Sequence, residues 1–230
     1  MRGGFLVSYT FRRSPGSAPK VTDMLVDDAI ALVPSISGRR MLLGISGPPA
    51  AGKSTLARTL VDGVNARLGA DTAAYVPMDG FHLSNAQLDR LGLRGRKGAP
   101  DTFDADGYVH LLRRLRSEHH RPLYAPGFDR ALDEPVAAAL VVLPDTRLVV
   151  TEGNYLADDA LGWEPVRDLL DELWFIDTPE AVREARLLDR HVTGGRTKEE
   201  ALAFIAASER PNAARVEAAR DACTRAVFVP

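Results

Sequence analysis

Short runs of consecutive apolar residues alternate along this chain with longer stretches in which apolar residues recur every three or four positions. Met41-Leu42-Leu43-Gly44-Ile45-Ser46 reads as a buried strand, and Thr55-Leu56-Ala57-Arg58-Thr59-Leu60-Val61 as part of the helix that follows it. Residues 72–78 read as a second strand ending at Asp79-Gly80, residues 147–151 as a third that delivers Glu152, residues 172–177 as a fourth and residues 225–229 as a last. Helical spacing marks residues 21–33 through Met24, Leu25, Ala29 and Leu32. It also marks residues 106–117, where Tyr108, Leu111, Leu112 and Leu115 share a face that excludes Arg113, Arg114 and Arg116. Strands alternating with helices predict a mostly parallel central sheet covered on both faces, a three-layer α/β/α sandwich. Ligands of such folds lie beyond the carboxyl ends of the strands, and Asp79, Glu152 and Asp177 all fall at predicted ends.

Composition narrows the picture. With 230 residues and 45% hydrophobic content the chain is long enough for one α/β domain with a large core. A net charge of −2 argues against a protein that coats nucleic acid and for a small, diffusible substrate. Cys223 is the lone cysteine, so no intrachain disulfide forms. No apolar run approaches the roughly 20 residues of a membrane span. Phe5-Leu6-Val7 is too short for a signal-peptide core, so a cytoplasmic protein with no membrane partner is expected. Residues 1–20, with Gly3-Gly4 and Ser14-Pro15-Gly16-Ser17, read as a flexible tail, leaving 21–230 as a single domain. The Gly- and Arg-rich stretch 91–100 reads as a long mobile loop.

Between the first strand and its helix, Gly47-Pro48-Pro49-Ala50-Ala51-Gly52-Lys53-Ser54 fits G-x-x-x-x-G-K-[ST], the phosphate-binding loop, in the strand-loop-helix setting that motif requires. Loop N–H groups and the positive helix end converge on a polyphosphate, Lys53 adds a mobile charge and Ser54 a Mg²⁺ ligand, with Thr55 following. ATP or GTP is the expected ligand. If the backbone at Ala50 needs a positive φ, its methyl costs about 1 kcal/mol and tightens the loop.

Phosphoryl transfer asks for a carboxylate that receives the acceptor's proton, oxygen ligands for Mg²⁺, and cations for the transferring group. Asp79, in Met78-Asp79-Gly80-Phe81-His82, is the candidate base, although an Asp-Gly pair also reads as a turn. Glu152, an acid at the end of a buried strand, is the candidate Mg²⁺ organiser alongside Ser54. After Asp177-Thr178-Pro179, Arg183, Arg186 and Arg190 share one face of a helix, with Ala181, Ala185 and Leu188 opposite. His191, Gly194-Gly195 and Arg196 then form a turn before a helix resumes near Thr197. This reads as a closing lid over about 186–200, with Arg186 toward the nucleotide and Arg190 or Arg196 as its strongest cation. His82, Asp101, Asp104, Tyr124, Asp129 and Arg130 are candidates for the acceptor pocket, and His82 beside Phe81 also reads as a packed histidine. His110, His119 and His120 lack zinc-ligand spacing.

In order and spacing, these motifs resemble the uridine kinase, phosphoribulokinase and type I pantothenate kinase superfamily of P-loop kinases, over roughly residues 24–229. The likeness is to its bacterial nucleoside/nucleotide kinase-like and fructose-transport-system kinase-like members. Met78-Asp79-Gly80-Phe81-His82 is similar to the segment that carries the family's catalytic Asp. Residues 96–104, from Arg96-Lys97-Gly98, resemble its acceptor-side loop, Thr151-Glu152-Gly153-Asn154-Tyr155 its Glu-Gly segment, and residues 186–196 its lid. The resemblance implies an ATP- and Mg²⁺-dependent kinase with a small-molecule acceptor (nucleoside or nucleotide, sugar, or pantothenate-like) touched by His82, Arg96, Lys97 and Asn154, and it is compatible with a homodimer. ATP is preferred over GTP only through it. Gly98 stands where nucleoside kinases carry an acid for the ribose, and Arg130 where pantothenate kinases carry a His. Arg96, Lys97 and Arg130 suit an anionic acceptor if they face the pocket, and solvated loop charge is the alternative. A regulatory ATPase or switch remains the rival class, and a metabolite sensor without turnover a third.

Overall fold

The computed structural model describes residues 21–35, 38–160 and 162–228. The tail expected over 1–20 lies outside the described residues, as does Val229 of the expected last strand. Helix α1 (Val21–Leu32) precedes strand β1 (Met41–Ser46), the phosphate loop and α2 (Lys53–Leu68). Strand β2 (Ala73–Pro77) leads through a 3₁₀ turn at Met78–Phe81 to α3 (Asn85–Leu91), and α4 (Ala105–Ser117) follows. A hairpin, β3 (Leu123–Asp129) and β4 (Glu134–Val142), precedes β5 (Leu148–Gly153), α5 (Glu164–Leu169) and β6 (Glu172–Asp177). The chain closes with α6 (Glu180–Thr193), α7 (Lys198–Phe204), one π-helical turn at Ile205–Glu209, α8 (Arg210–Ala218) and β7 (Arg225–Phe228).

The central sheet runs β2-β5-β1-β6-β7 with every pairing parallel. Because side chains alternate across a strand, the apolar runs feed two cores at once. Leu42, Val149, Leu173 and Phe175 point into the layer that holds α4 and α5. Leu43, Ile45, Val150, Trp174 and Ile176 point into the layer of α1 and α2. The expected parallel sheet and its five strands are present, as are the helices expected over 21–33, from residue 55 and over 106–117, which are α1, α2 and α4, whereas α3 is not anticipated; β2 ends two residues before Asp79, which sits in the 3₁₀ turn. The register Ile45↔Glu152 and Pro77↔Glu152 brings the carboxyl ends of β1, β2 and β5 level, so residues just beyond them converge.

Two features depart from the sequence reading. The segment around Tyr124–Arg130, for which the sequence predicts no strand, forms part of the antiparallel hairpin, with a register shift between Ala125 and Gly127. Pro126 and Gly127 interrupt the alternation that marks a strand, which hid it. Residues 91–100 fold into 3₁₀ turns rather than an open loop, and the buried Tyr155 hydroxyl donates to the Gly98 carbonyl at 2.6 Å. Below the sheet, Arg40 is buried and donates to the carbonyls of Leu115, Leu143 and Thr146 at 2.8, 3.0 and 3.1 Å, fastening α4 to the strand that carries the loop.

Gly80 fixes the hairpin against the turn that carries Asp79. A Cβ there would lie 2.3 Å from the Pro126 carbonyl oxygen and 2.7 Å from its carbon, backbone atoms that yield only by moving the hairpin. Gly80→Ala is expected to destabilise the fold by about 1–3 kcal/mol. Thermal unfolding checks this, and an unchanged midpoint contradicts the packing.

Candidate active site

Beyond the carboxyl ends of β1, β2 and β5 lies a cleft of about 1090 Å³, floored by Ala50, Lys53, Ser54 and Thr55 and walled by Asp79, Glu152 and residues of α6. The loop's backbone is bent as the motif requires. Gly52 has φ +96°, and Ala50 has φ +60°, the positive value anticipated above.

Lys53 is buried, and its Nζ donates to the carbonyls of Gly47 and Pro48 at 2.8 and 2.9 Å and to Asn154 Oδ1 at 2.6 Å. Burial pulls its pKa down to about 8, against the pull of Glu152 and Asp79. Glu152 is also buried, and its Oε1 accepts from Ser54 Oγ at 2.9 Å and from the Tyr75 hydroxyl at 2.7 Å. Burial raises the Glu152 pKa, with Asp79 acting in the same direction. The fields of Lys53 and Glu152 favour each other's charge, yet desolvation leads in both, so each is pushed toward neutrality. Ser54 Oγ and the Glu152 carboxylate are hard oxygen donors side by side, a set that fits Mg²⁺. Among the described residues no group of three or more His, Cys, Asp or Glu side chains is placed to hold a metal on its own.

Asp79 faces this pair from the turn after β2, its only side-chain partner among the described residues being Arg130 Nη2 at 3.4 Å. His82 stacks on Phe103 and Phe128, with ring centroids 4.0 and 4.9 Å apart, and its Nδ1–H donates to the Asp79 carbonyl at 2.8 Å. Burial lowers its pKa, so a neutral, packed ring lines the cleft.

The arginines of α6 and the turn after it sort by depth. Arg183 is buried and donates to Thr178 O and to Glu217, so it anchors the helix and does not reach the cleft. The apolar face proposed for α6 is corrected too, since Ala181 and Ala185 are exposed and Leu187 is buried. Arg186 Nη1 reaches the Ala50 carbonyl at 3.3 Å. Arg190 Nη2 donates to Glu209 Oε1 at 2.9 Å, and His191 Nε2 donates to the same oxygen at 3.2 Å. Arg196 stacks on Phe204 at 4.1 Å and donates to His191 Nδ1 at 2.6 Å. That last bond requires a neutral imidazole, in keeping with the lowered pKa that burial gives His191.

Several acceptor-side expectations are relocated. Arg96 and Asp101 pair with each other at 3.0 Å, and neither lines the cleft. Tyr124 is exposed on β3 opposite Val141. Asp129 accepts the backbone N–H groups of Ala131 and Leu132 at 2.8 and 3.1 Å, so it shapes the hairpin turn. Asp104 caps α4 through Gly107 N, Asn154 holds Lys53, and Asp177 pairs with Arg220 at the surface. Lys97 does line the cleft, with its ammonium on Asn85 Oδ1 at 2.7 Å and Asp133 Oδ2 at 3.0 Å. The sequence reading missed Tyr75, Arg94, Phe128, Asp133, Glu209 and Asn212. Glu209 is the buried acid among them, in the π-helical turn at Ile205–Glu209, and its burial comes from the fold and not from its flanking Ser208 and Arg210.

No protein-family profile matches the chain. It is 37% identical over 193 residues to the "Putative uridine kinase C227.14" of Schizosaccharomyces pombe, covering 80% of this chain and 81% of that protein. It is 38% identical over 125 residues to the "ATP-dependent kinase-like protein notR'" of Aspergillus versicolor, covering 51% of this chain and 73% of that one. A solved "putative fructose transport system kinase" from Silicibacter sp. TM1040 superposes with a TM-score of 0.81 at 36% identity, covering 91% of this chain and 98% of that structure. Among the described residues no helix is long and apolar enough to cross a membrane.

The lid network predicts opposite shifts at one imidazole. Arg196→Met removes a neighbouring cation and raises the His191 pKa, whereas Glu209→Gln removes an anion and lowers it; NMR titration of the histidine ring protons reads both, and equal shifts of one sign contradict the geometry. At the loop, a phosphate prefers protonated Lys53. Nucleotide affinity is therefore expected to hold below about pH 8 and to weaken as pH rises through it, by up to about tenfold per unit. Titration with a fluorescent ATP analogue from pH 6.5 to 9.5 checks this, and a flat profile removes Lys53 as the titrating group.

Proposed function

The chain belongs to the uridine kinase, phosphoribulokinase and type I pantothenate kinase superfamily of P-loop kinases, and we propose that it transfers the γ-phosphoryl group of ATP to a hydroxyl of a small metabolite. One observation carries this reading: Asp79, a carboxylate with a single weak partner, faces the Lys53–Ser54–Glu152 cluster across a cleft large enough for a nucleotide and a second small molecule. Bound ATP would supply the phosphoryl group, and Mg²⁺ held by Ser54 and Glu152 would neutralise charge on its oxygens.

The protein's own groups then have separate tasks. The loop N–H groups and Lys53 bind the β- and γ-phosphates, which requires Lys53 to turn from the Gly47 and Pro48 carbonyls. Asp79 orients the acceptor hydroxyl and takes its proton as the oxygen bonds to phosphorus. Phe103, Phe128 and His82 form an aromatic wall that excludes water on the acceptor side. Arg186, Arg190 and Arg196 bring cations to the phosphoryl group from the lid. A regulatory ATPase has no use for the aromatic wall or for a base at Asp79.

ADP release from Mg·ATP, with and without a panel of sugars, sugar phosphates, nucleosides, nucleotides and pantothenate, tests the reading. One acceptor is expected to gain one phosphate by mass. Asp79→Asn is expected to lower that acceptor-dependent rate by about 10²–10⁴-fold while nucleotide affinity holds. Turnover indifferent to every acceptor and to Asp79→Asn moves the protein to the switch class.

A further inference from the structure

A second cavity, of about 360 Å³, opens off the cleft between β2, the first turns of α2 and the hairpin. It shares Ser54, Asp79, Phe128 and Arg130 with the main cleft, so a molecule with its hydroxyl at Asp79 extends into it without a break. One wall is apolar, made by Pro77, Val136, Ala139 and Leu140. The opposite wall is cationic.

Arg58 forms that wall. Its guanidinium lies on the Tyr75 ring at 4.4 Å, and Tyr75 is itself fixed by donating to Glu152. Arg58 lines the cavity and, among the described residues, makes no hydrogen bond or ion pair, so its donors are unpaired. Arg130, on the hairpin side, has among the described residues only the 3.4 Å contact with Asp79, and both side chains are partly exposed, so that pairing is weak and easily redirected. The acids facing the cavity are Asp79, needed for the hydroxyl, and Asp129, already accepting two backbone N–H groups. The cations first expected to read an anion are not available: Arg96 is held by Asp101 outside the cleft and Lys97 by Asp133.

We propose that this side cavity is the acceptor's anion subsite, in which Arg58 and Arg130 bind a phosphate or carboxylate carried on a short carbon skeleton. The inference deepens the kinase reading and rests on it for the hydroxyl at Asp79. Two guanidinium groups supply the forked donors that match a carboxylate or phosphoryl group, and the apolar wall matches the carbon chain between anion and hydroxyl. An inorganic anion alone would leave that wall without a partner.

The test is a binding measurement that needs no chemistry. With the loop saturated by Mg²⁺ and a non-hydrolysable ATP analogue, calorimetry compares matched pairs: ribose 5-phosphate with ribose, uridine 5′-monophosphate with uridine, and pantothenate with its alcohol pantothenol. At least one anion is expected to bind ten times or more tightly than its neutral partner. Arg58→Gln should abolish that preference, Arg58→Lys should keep part of it, and Arg130→Gln should weaken it, all with unchanged affinity for the analogue. Arg58 is exposed, so its variants should retain the wild-type melting midpoint. Neutral members binding as well as anions, no pair binding at all, or a preference that survives Arg58→Gln overturns the proposal. The kinase reading is judged separately: a preferred anion that binds yet gains no phosphate when ATP replaces the analogue sinks that reading and leaves the subsite standing.

Discussion

The site is organised by two opposite charges that the fold buries without letting them touch. Lys53 and Glu152 sit at the ends of adjacent structural units, the loop after β1 and the last residues of β5, and the parallel register holds them level. Each is satisfied by neutral partners, Lys53 by two loop carbonyls and Asn154, Glu152 by the hydroxyls of Ser54 and Tyr75. Hydroxyls and carbonyls return only part of the hydration energy that burial removes, which is why both groups are displaced toward neutrality despite their attraction. A polyphosphate and its cation would supply the charges that this arrangement lacks. The loop conformation, including the positive φ of Ala50, is thus tolerated in a place where its strain has a counterpart in binding.

The remainder of the cleft follows from what is packed beside that pair. Tyr75 serves both sides: its hydroxyl holds Glu152 and its ring carries Arg58, so the Glu152 carboxylate and the side cavity are coupled through one half-buried ring. Asp79 is placed by a turn that Gly80 allows to approach the hairpin backbone. The hairpin therefore sets the distance between Asp79 and Arg130.

What the sequence made legible was whatever obeys a local rule. The phosphate loop is a contiguous motif, β1 and β5 are unbroken apolar runs, and α4 shows a clean face, so these elements and the carboxylates at their ends could be placed from spacing alone. The lid shows where such rules stop. Arg183, Arg186 and Arg190 do share a helical side, but periodicity gives direction and not depth; Glu217 and the Thr178 carbonyl draw Arg183 inward, whereas Glu209 holds Arg190 at the cleft. Arg96 and Asp101 were read as two pocket residues because nothing in a sequence says that groups five apart satisfy each other across a 3₁₀ turn. Arg58 went unnoticed for the converse reason: an arginine in the first turns of a helix looks like solvated charge until Tyr75 arrives from a neighbouring strand to hold it.

The same contrast bears on what kind of P-loop protein this is. A nucleotide switch keeps its informative surface on segments that order around the phosphates. Here the groups that go beyond phosphate binding, His82, Phe103, Phe128 and Asp79, are fixed by ring stacking, backbone pairing between His82 and Phe103, and the buried Tyr155 tether to Gly98. A wall that is already ordered costs little to use as a binding surface and offers little as a moving signal. Beside that wall stand exposed cations on α6 and its following turn, where Arg186 reaches the Ala50 carbonyl, Arg190 reaches Glu209 and Arg196 reaches His191. An ordered aromatic wall and exposed cations lining one cleft are an arrangement that binding a second molecule uses and a nucleotide switch does not need, in keeping with the proposed phosphoryl transfer.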